Sequence, residues 1–510
     1  MLSKSSFLPF LQCPAYFWFQ HHKPEVLKST VLTDFEQMLA DQGKIVEEEV
    51  YKRFAEIVRV KAKGINAVVE TKTLIEQDHH WIGQAGFMTD DFFAQADIVH
   101  IKEDGRIDIY EIKSSSSMQN MGSDDAPEVP SKEKHITDLA FQYIVATQAG
   151  YKVETTWLVE LNKEYRLQGK LDHQTLFVIA DVTELVIKCA KELYPKLAES
   201  LAALIDTEQP TTCNCKYLPR KKQCPAFHYL HPELMEYTVH DLYRIGNSPK
   251  RLRKFIDDGI HLIRDIPAGY DLTESYRDQV HTWNTGDVIV KRNEIEKALS
   301  GLTYPLYFLD YETSGTAIPQ YDDTKPYMHV PFQYSLHIMN ERNGEINHAE
   351  YLHTDRENPM HPLSKRLREH IHDIGTIIVW NKSFESKCNQ NMATVVRDHA
   401  LFLNGLNLRL YDLMEIFAKR YYVHKDFKGS CSIKKVLPVL VPHLKYEGLA
   451  ITDGGTATTQ WKRMVFEMED DNEKKIVRQQ LLECCKLDTL AMVEIFRTLV
   501  KIIKAKAKEC

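Results

Sequence analysis

Hydrophobic and polar positions follow two rhythms in the front of the chain. Helical spacing runs over residues 40–58 and again over 137–149. Between these stretches, residues 94–101 and 107–113 are apolar strands. Glu103-Asp104-Gly105 between them supplies turn chemistry, so the pair predicts a β-hairpin. Helices and strands in this order predict a mixed α/β domain. Residues 120–133, rich in Gly, Ser, Asp and Pro, predict a surface loop. From 236 to 300 the pattern is mostly helical and charged, with interruptions at Gly246, Pro249, Gly259 and Pro267-Ala268-Gly269, which predicts a helical connector. A third region opens on the apolar run 304–310, carries a buried strand at 376–380 and closes with a helix over 474–505. The expected division is therefore 1–235, 236–300 and 301–510, with no internal repeat.

Composition narrows the class. A chain of 510 residues is too long for one core. Its 43% hydrophobic and 27% charged residues are those of a globular protein, not a disordered or fibrous one. The net charge of -8 does not exclude a nucleic-acid partner, because gathering carboxylates around metals lowers the total without removing local basic surface. Two basic runs, Arg220-Lys221-Lys222 and Lys250-Arg251-Leu252-Arg253-Lys254, either meet phosphates or are solvated surface. No apolar run approaches the roughly 20 residues that span a bilayer, and the start lacks a signal peptide's apolar stretch, so a cytoplasmic protein is expected. Ten cysteines then point to reduced thiols or metal ligands before disulfides.

The predicted hairpin carries the first chemistry. Asp97 lies on one strand, and alternation along the other puts Glu111 and Lys113 on one face. A metal-binding carboxylate and a cationic amine can then face one phosphate, with Lys113 steering the attacking water or helping to ionise it. A surface hairpin is the plainer alternative. This region resembles the RecB-like branch of the PD-(D/E)XK nucleases, which implies a restriction-endonuclease-like domain. The resemblance also implies a metal-binding glutamate on an early helix, matched by Glu47 with Glu48 and Glu49 as neighbours, and a glutamine on a later helix, matched by Gln142. Ala146 stands where the family often has a tyrosine.

The cysteines are unevenly placed. Cys13 comes early, and Cys213, Cys215 and Cys224 follow some 200 residues later. One early and three late cysteines around such a core resemble the iron-sulfur RecB-like nucleases, including the CRISPR-associated group. The resemblance implies a [4Fe-4S] cluster that staples the ends of the domain. Zinc on the same four thiolates, or buried thiols without a ligand, are the alternatives. Cys189, Cys388, Cys431 and Cys510 lack such company and are expected to be structural or incidental.

A second acidic set lies toward the end. Asp310 and Glu312 share a strand face and form a pair able to hold metal. Glu385 follows in Asn381-Lys382-Ser383-Phe384-Glu385, and Asp488 lies on the predicted closing helix. In this order the three motifs resemble the DnaQ-like DEDD exonucleases, which implies an RNase H-like C-terminal domain. Glu385 replaces the family's usual aspartate. The general-base position holds Cys484 or Glu483 where the family has tyrosine or histidine. Asp412 and the segments 331–337 and 427–457 also resemble this class, although Asp412 reads equally well as a helix-start carboxylate. Tyr311, Tyr321 and Tyr327 are either base-stacking platforms or core.

Together these features resemble an uncharacterised bacterial family that fuses an iron-sulfur RecB-like nuclease to a DnaQ-like domain. They imply a Mg2+- or Mn2+-dependent deoxyribonuclease, of the exonuclease kind, with DNA as partner. The competing expectations are a nucleic-acid-binding or scaffold protein with a degenerate exonuclease-like domain, and a metabolic α/β protein with surface carboxylates.

Overall fold

The computed structural model describes residues 1–27, 34–54, 56–114 and 131–505, and these form a mixed α/β architecture around two main sheets. The first has seven strands: β1 (Leu2–Ser3), β2 (Val58–Arg59), β3 (Trp81–Met88), β4 (Phe92–Ile101), β5 (Arg106–Lys113), β6 (Lys152–Leu161) and β7 (Phe177–Asp181). Their order is β2-β3-β4-β5-β6-β7, with β1 beside the start of β4. The β4–β5 pair is the expected hairpin. Its turn closes with Gly105 at φ +78°, a conformation that suits a residue without Cβ.

Strands β5 and β6 run parallel, so the chain must cross over between them, and helix α5 (Ser131–Gln148) makes that crossing. Counting α1 (Lys4–Gln12), α2 (Pro14–His22), α3 (Asp34–Tyr51) and α4 (Ile65–Glu76) before it, α6 (Thr183–Ile205) lies against α5. Phe141, Ile144 and Val145 of α5 bury one sheet face together with Ile107 and Ile109 of β5. The sequence pattern placed the early helix at 40–58. The observed α3 begins at Asp34 and ends at Tyr51, and Val58 belongs instead to β2, paired with Ile82. The expected loop at 120–133 lies outside the described residues up to 130, and Ser131 already opens α5.

The connector holds α7 (Pro249–Asp257), α8 (Glu274–Thr285) and α9 (Arg292–Ser300), separated by short turns. It is not wholly helical, because β8 (Ile289–Val290) pairs with β14 (Tyr422–Val423) and ties it to the last region. In that region β9 (Leu306–Ser314), β10 (Val330–Met339), β11 (Ile346–Leu352), β12 (Thr376–Val379) and β13 (Leu410–Asp412) form the second sheet in the order β11-β10-β9-β12-β13. The first three strands are antiparallel neighbours, whereas β12 lies parallel to both β9 and β13. Helices α10 (Met360–His370) and α11 (Lys382–Val395) bury one face, with Leu363, Leu367, Cys388 and Met392 against Leu309 and Ile377. Helices α12 (Ile433–Leu440), α13 (Gly454–Lys462) and α14 (Asp471–Ala505) complete the unit, α14 and α12 packing on the other face.

A polar clamp sets the position of α14. Gln333, Ser335 and His337 alternate along β10 and so share a face. Gln333 donates to the Leu481 carbonyl at 2.8 Å, and Ser335 and His337 meet the buried Thr489 hydroxyl at 2.7 and 2.8 Å. The two sheets also touch. Ala317, Ile318 and Tyr327 share an apolar cluster with Val46, Val50 and Leu167, and Tyr327 donates to the Ser114 carbonyl at 2.5 Å. Tyr311 is buried and donates to Asn389 at 2.9 Å, and Tyr321 packs against the apolar cluster of Tyr311, Leu309 and Leu363. These tyrosines are core, not exposed stacking platforms. Among the described residues no helix is long and apolar enough to cross a membrane.

Candidate metal centres

Three clusters of ligand-type side chains emerge from this scaffold. In the first, β4 and β5 bring Asp97 beside Glu111, and Asp97 Oδ2 accepts from the Ile112 N–H at 2.8 Å. Lys113 Nζ reaches Glu111 Oε1 at 2.7 Å and also pairs with Asp138 of α5. Gln142, fully buried one turn further along α5, donates to Glu111 Oε2 at 2.5 Å, and its Oε1 has no partner. Its role is to orient Glu111. Of the three adjacent glutamates on α3, Glu47 faces this cluster, accepting from Tyr51 at 2.5 Å and from Gln84 at 2.6 Å. Glu48 turns to Arg59, and Glu49 to Lys52 and His173.

Two members escaped the sequence pattern. Lys4 of α1 reaches Glu111 Oε1 at 2.9 Å. Gln84 sits at an irregularity in β3 with φ +57°, where its amide meets both Glu47 and, at 3.4 Å, Asp97. A left-handed glutamine stores backbone strain that its surroundings must offset.

The electrostatics of this cluster are divided. Burial and then the Glu111 charge push the Asp97 carboxyl up to about 8. Burial acts the same way on Glu111, but Lys4 and Lys113 outweigh it and bring that carboxyl down to about 2. Burial would lower Lys113, yet Glu111 and Asp138 hold its proton more firmly than in free lysine. Lys113 is therefore a fixed cation and not a base at neutral pH.

The second cluster is made of thiols. Cys13 caps α2, and Cys213, Cys215 and Cys224 follow α6; all four are between 1% and 6% exposed. Their sulfurs all lie within 4.8 Å of one another, with Cys213 and Cys224 at 4.0 Å. Hydrogen bonds from the other three thiols hold Cys215 well below the usual thiol range. Four sulfurs in a shell of Phe19, Phe227 and Leu234 suit a tetrahedral thiolate centre. The nearby Arg220 is committed elsewhere, bonding Asp241, the Leu234 and Glu236 carbonyls and Thr238. It is a structural tie and leaves no fork free for phosphate. In the second basic run Arg253 stacks over Tyr217 and Lys254 pairs with Asp258.

The third cluster joins β9, α11 and α14. Asp310 and Glu312 come from one strand face, Glu385 from the first turn of α11, and Asp488 from α14. Burial and then Asp488 push the Asp310 carboxyl up to about 8, while burial and then Asp310 raise Glu312 and Glu385 well above the carboxylate range. Glu385 is 2% exposed and its Oε2 has no partner. Carboxyls crowded like this ionise together only when a cation balances them.

Asp412 accepts from the Lys382 and Met414 N–H groups at 3.0 Å each, which is the helix-start role, and its charge also raises the Glu385 carboxyl. Two residues of the segment 427–457 join the cluster: Tyr446 donates to Asp488 Oδ1 at 2.6 Å, and Lys434, whose Nζ bonds the Thr452 carbonyl, favours ionised Asp488 and Glu312 by its charge. Cys484 has its sulfur within 4.8 Å of ligand oxygens of both Glu312 and Asp488. Cys485 points at Asp310 Oδ2, 3.5 Å away.

Comparison with known proteins gives similarity without a function. Residues 307–432 match the model of a domain of unknown function, DUF2779, a span that contains Asp310, Glu312 and Glu385 but not Asp488. The chain is 24% identical over 298 residues to the uncharacterized protein UU173 of Ureaplasma parvum, covering 54% of this chain and 42% of that protein. It is 23% identical over 235 residues to the uncharacterized MG366 homolog of Mycoplasma pneumoniae, covering 42% of this chain and 35% of that one. The matches thus span less than half the length of these curated relatives. No solved structure matches.

Proposed function

We propose that the chain is a metal-dependent nuclease that hydrolyses phosphodiester bonds, with DNA as substrate and the N-terminal cluster as its cutting site. The observation that carries the reading is the meeting of Glu47, Asp97, Glu111, Lys113 and Gln142 at one place, from two helices and two adjacent strands. A helix, an antiparallel β3-β4-β5 meander, the α5 crossover and a parallel β6 also agree with the PD-(D/E)XK, RecB-like resemblance. Support for an RNase H-like, DnaQ-like C-terminal unit comes from its three antiparallel strands followed by two parallel ones, with acidic residues on the central β9.

Glu47, Asp97 and Glu111 would hold Mg2+ or Mn2+. Their fit rests on the donor set: the Gln84 amide reaches both Glu47 and Asp97, and Asp97 accepts from the N–H of Ile112, the residue after Glu111. Such an ion supplies an activated water and charge stabilisation at the leaving oxygen. Lys113, held protonated by Glu111 and Asp138, offers a fixed positive charge to a phosphate oxygen. Gln142 and Lys4 keep Glu111 ionised and correctly turned. The cysteine centre acts as a staple between α2 and the segment after α6. The resemblance implies [4Fe-4S], whereas sulfurs this close suit a single zinc ion, whose roughly 2.3 Å bonds set them roughly 3.8 Å apart. A broad visible absorbance in anaerobically purified protein distinguishes the cluster from colourless zinc.

The test is cleavage of end-labelled single- and double-stranded DNA in Mn2+, with wild type beside Lys113→Ala. Products from wild type and none from the variant, with unchanged circular dichroism, are expected. Binding without product in every metal would defeat the enzyme reading. It would favour the second reading, a C-terminal domain that only grips a strand end, for which Cys484 in the general-base position is the supporting observation.

A further inference from the structure

Helix α14 delivers a sulfur to the centre of the C-terminal carboxylates. Cys484 and Asp488 are four residues apart, so their side chains share one face of that helix. The Cys484 sulfur, a Glu312 oxygen and an Asp488 oxygen lie within 4.8 Å of one another, and Cys484 is 3% exposed. A second observation points to a ligand at the same place. Glu385, 2% exposed, adjoins Asp310 and Glu312, and its Oε2 has no hydrogen-bond partner.

We propose that Cys484 is a metal ligand, and that Cys484, Glu312 and Asp488 together take a thiophilic divalent ion of the Zn2+ class in preference to Mg2+. The proposal rests on the C-terminal set being a metal site and does not depend on cleavage there. Zinc accepts sulfur at roughly 2.3 Å and carboxylate oxygen at roughly 2.0–2.2 Å, which sets tetrahedral donors roughly 3.4–3.6 Å apart. Small side-chain shifts close the present spacing to that value. Magnesium demands six ligands in near-octahedral array and favours oxygen, so a sulfur in one position weakens its hold. On binding, the Cys484 S–H bond is replaced by a metal–sulfur bond and the proton leaves to solvent. Three protein ligands leave a fourth position for water or a substrate oxygen. Tyr446 engages Asp488 through Oδ1 alone, so Oδ2 stays available.

The experiment is a Co2+ titration of the full chain, with its N-terminal cysteine centre as isolated, in wild type, Cys484→Ser and Cys484→Asp. Wild type should show a thiolate-to-cobalt band in the near ultraviolet that exceeds that of Cys484→Ser by one thiolate per chain. Zn2+ should bind wild type at least tenfold more tightly than Cys484→Ser. Cys484→Asp should gain about tenfold for Mg2+, and it gives a second reading if the serine variant folds poorly. Superimposable cobalt spectra for wild type and a folded Cys484→Ser, or equal Zn2+ affinities, would overturn the assignment. A thiolate band in a protein that cleaves nothing leaves the metal assignment standing and sinks the nuclease reading. Cleavage without the band does the reverse.

Discussion

Replacing Asp310 by asparagine should stabilise the metal-free C-terminal unit, by an amount that grows with pH. Asp310 shares its site with Glu312, Glu385 and Asp488, and burial followed by the Asp488 charge pushes its carboxyl from 3.8 to about 8. A carboxyl with a raised value in the folded state costs nothing below pH 3.8. As pH climbs toward 8, the unfolded chain has already released its proton and the folded chain has not, so stability falls across that window. At roughly 1.4 kcal/mol per pH unit, the cost is about 1.6 kcal/mol at pH 5 and about 4 kcal/mol at pH 7. Asparagine keeps the shape and cannot ionise. Burying its amide and easing the three remaining carboxylates return part of the gain, so about 2 kcal/mol is expected at pH 7, or roughly 4–8 °C in the transition of a unit this size. Calorimetry without added divalent cations, at about pH 5 and about pH 7, reads this directly. Added Zn2+ should stabilise wild type and variant alike, because Cys484, Glu312 and Asp488 remain in both. An equal gain at both pH values, or a loss at both, would refute the reasoning.

Lys4→Met should destabilise the N-terminal unit by about 1–3 kcal/mol at neutral pH, since it removes one of two cations holding the buried Glu111, and urea unfolding measures it. Glu111 is held down to about 2, so its contribution is present above its unfolded value of 4.5 and is lost as pH falls toward 2; the variant should therefore unfold at higher pH on acidification. Cys215→Ser should abolish metal retention at the thiol cluster and lower the first thermal transition. Unchanged iron and zinc content by elemental analysis would show that the four thiols hold no metal.

The hairpin bearing Asp97 and Glu111 was legible because period-two alternation and a glycine turn are local signals. The crossover α5 and the closing helix were legible for the same reason, their apolar spacing extending over many turns. The start of α3 was not, because residues 34–40 are mostly exposed or half-buried and carry little periodicity. Nor could spacing show that Glu47, and not its two neighbours, faces Asp97. That choice depends on Arg59, Lys52 and His173 occupying the others. Lys4 lies 107 positions from Glu111, and Tyr446 42 from Asp488, so their meetings follow from chain topology alone. The role of Gln84 comes from a backbone irregularity that no side-chain pattern announces.

Helix α3 reaches from the neighbourhood of one acidic centre to the other. At its front end Phe35 lies against Gly455, where an added Cβ would fall 2.8 Å from the ring, and the adjoining Gly454 faces Glu312. Twelve residues on, the same helix presents Glu47 to Asp97. At 1.5 Å per residue Phe35 and Glu47 stand about 18 Å apart along the helix axis. On the proposed reading, the spacing between two cuts, or between a grip and a cut, is written into the number of residues in this helix. Inserting a full turn between Phe35 and Glu47 should therefore pull one of these contacts apart, and loss of cleavage would show that the Glu47 end gave way.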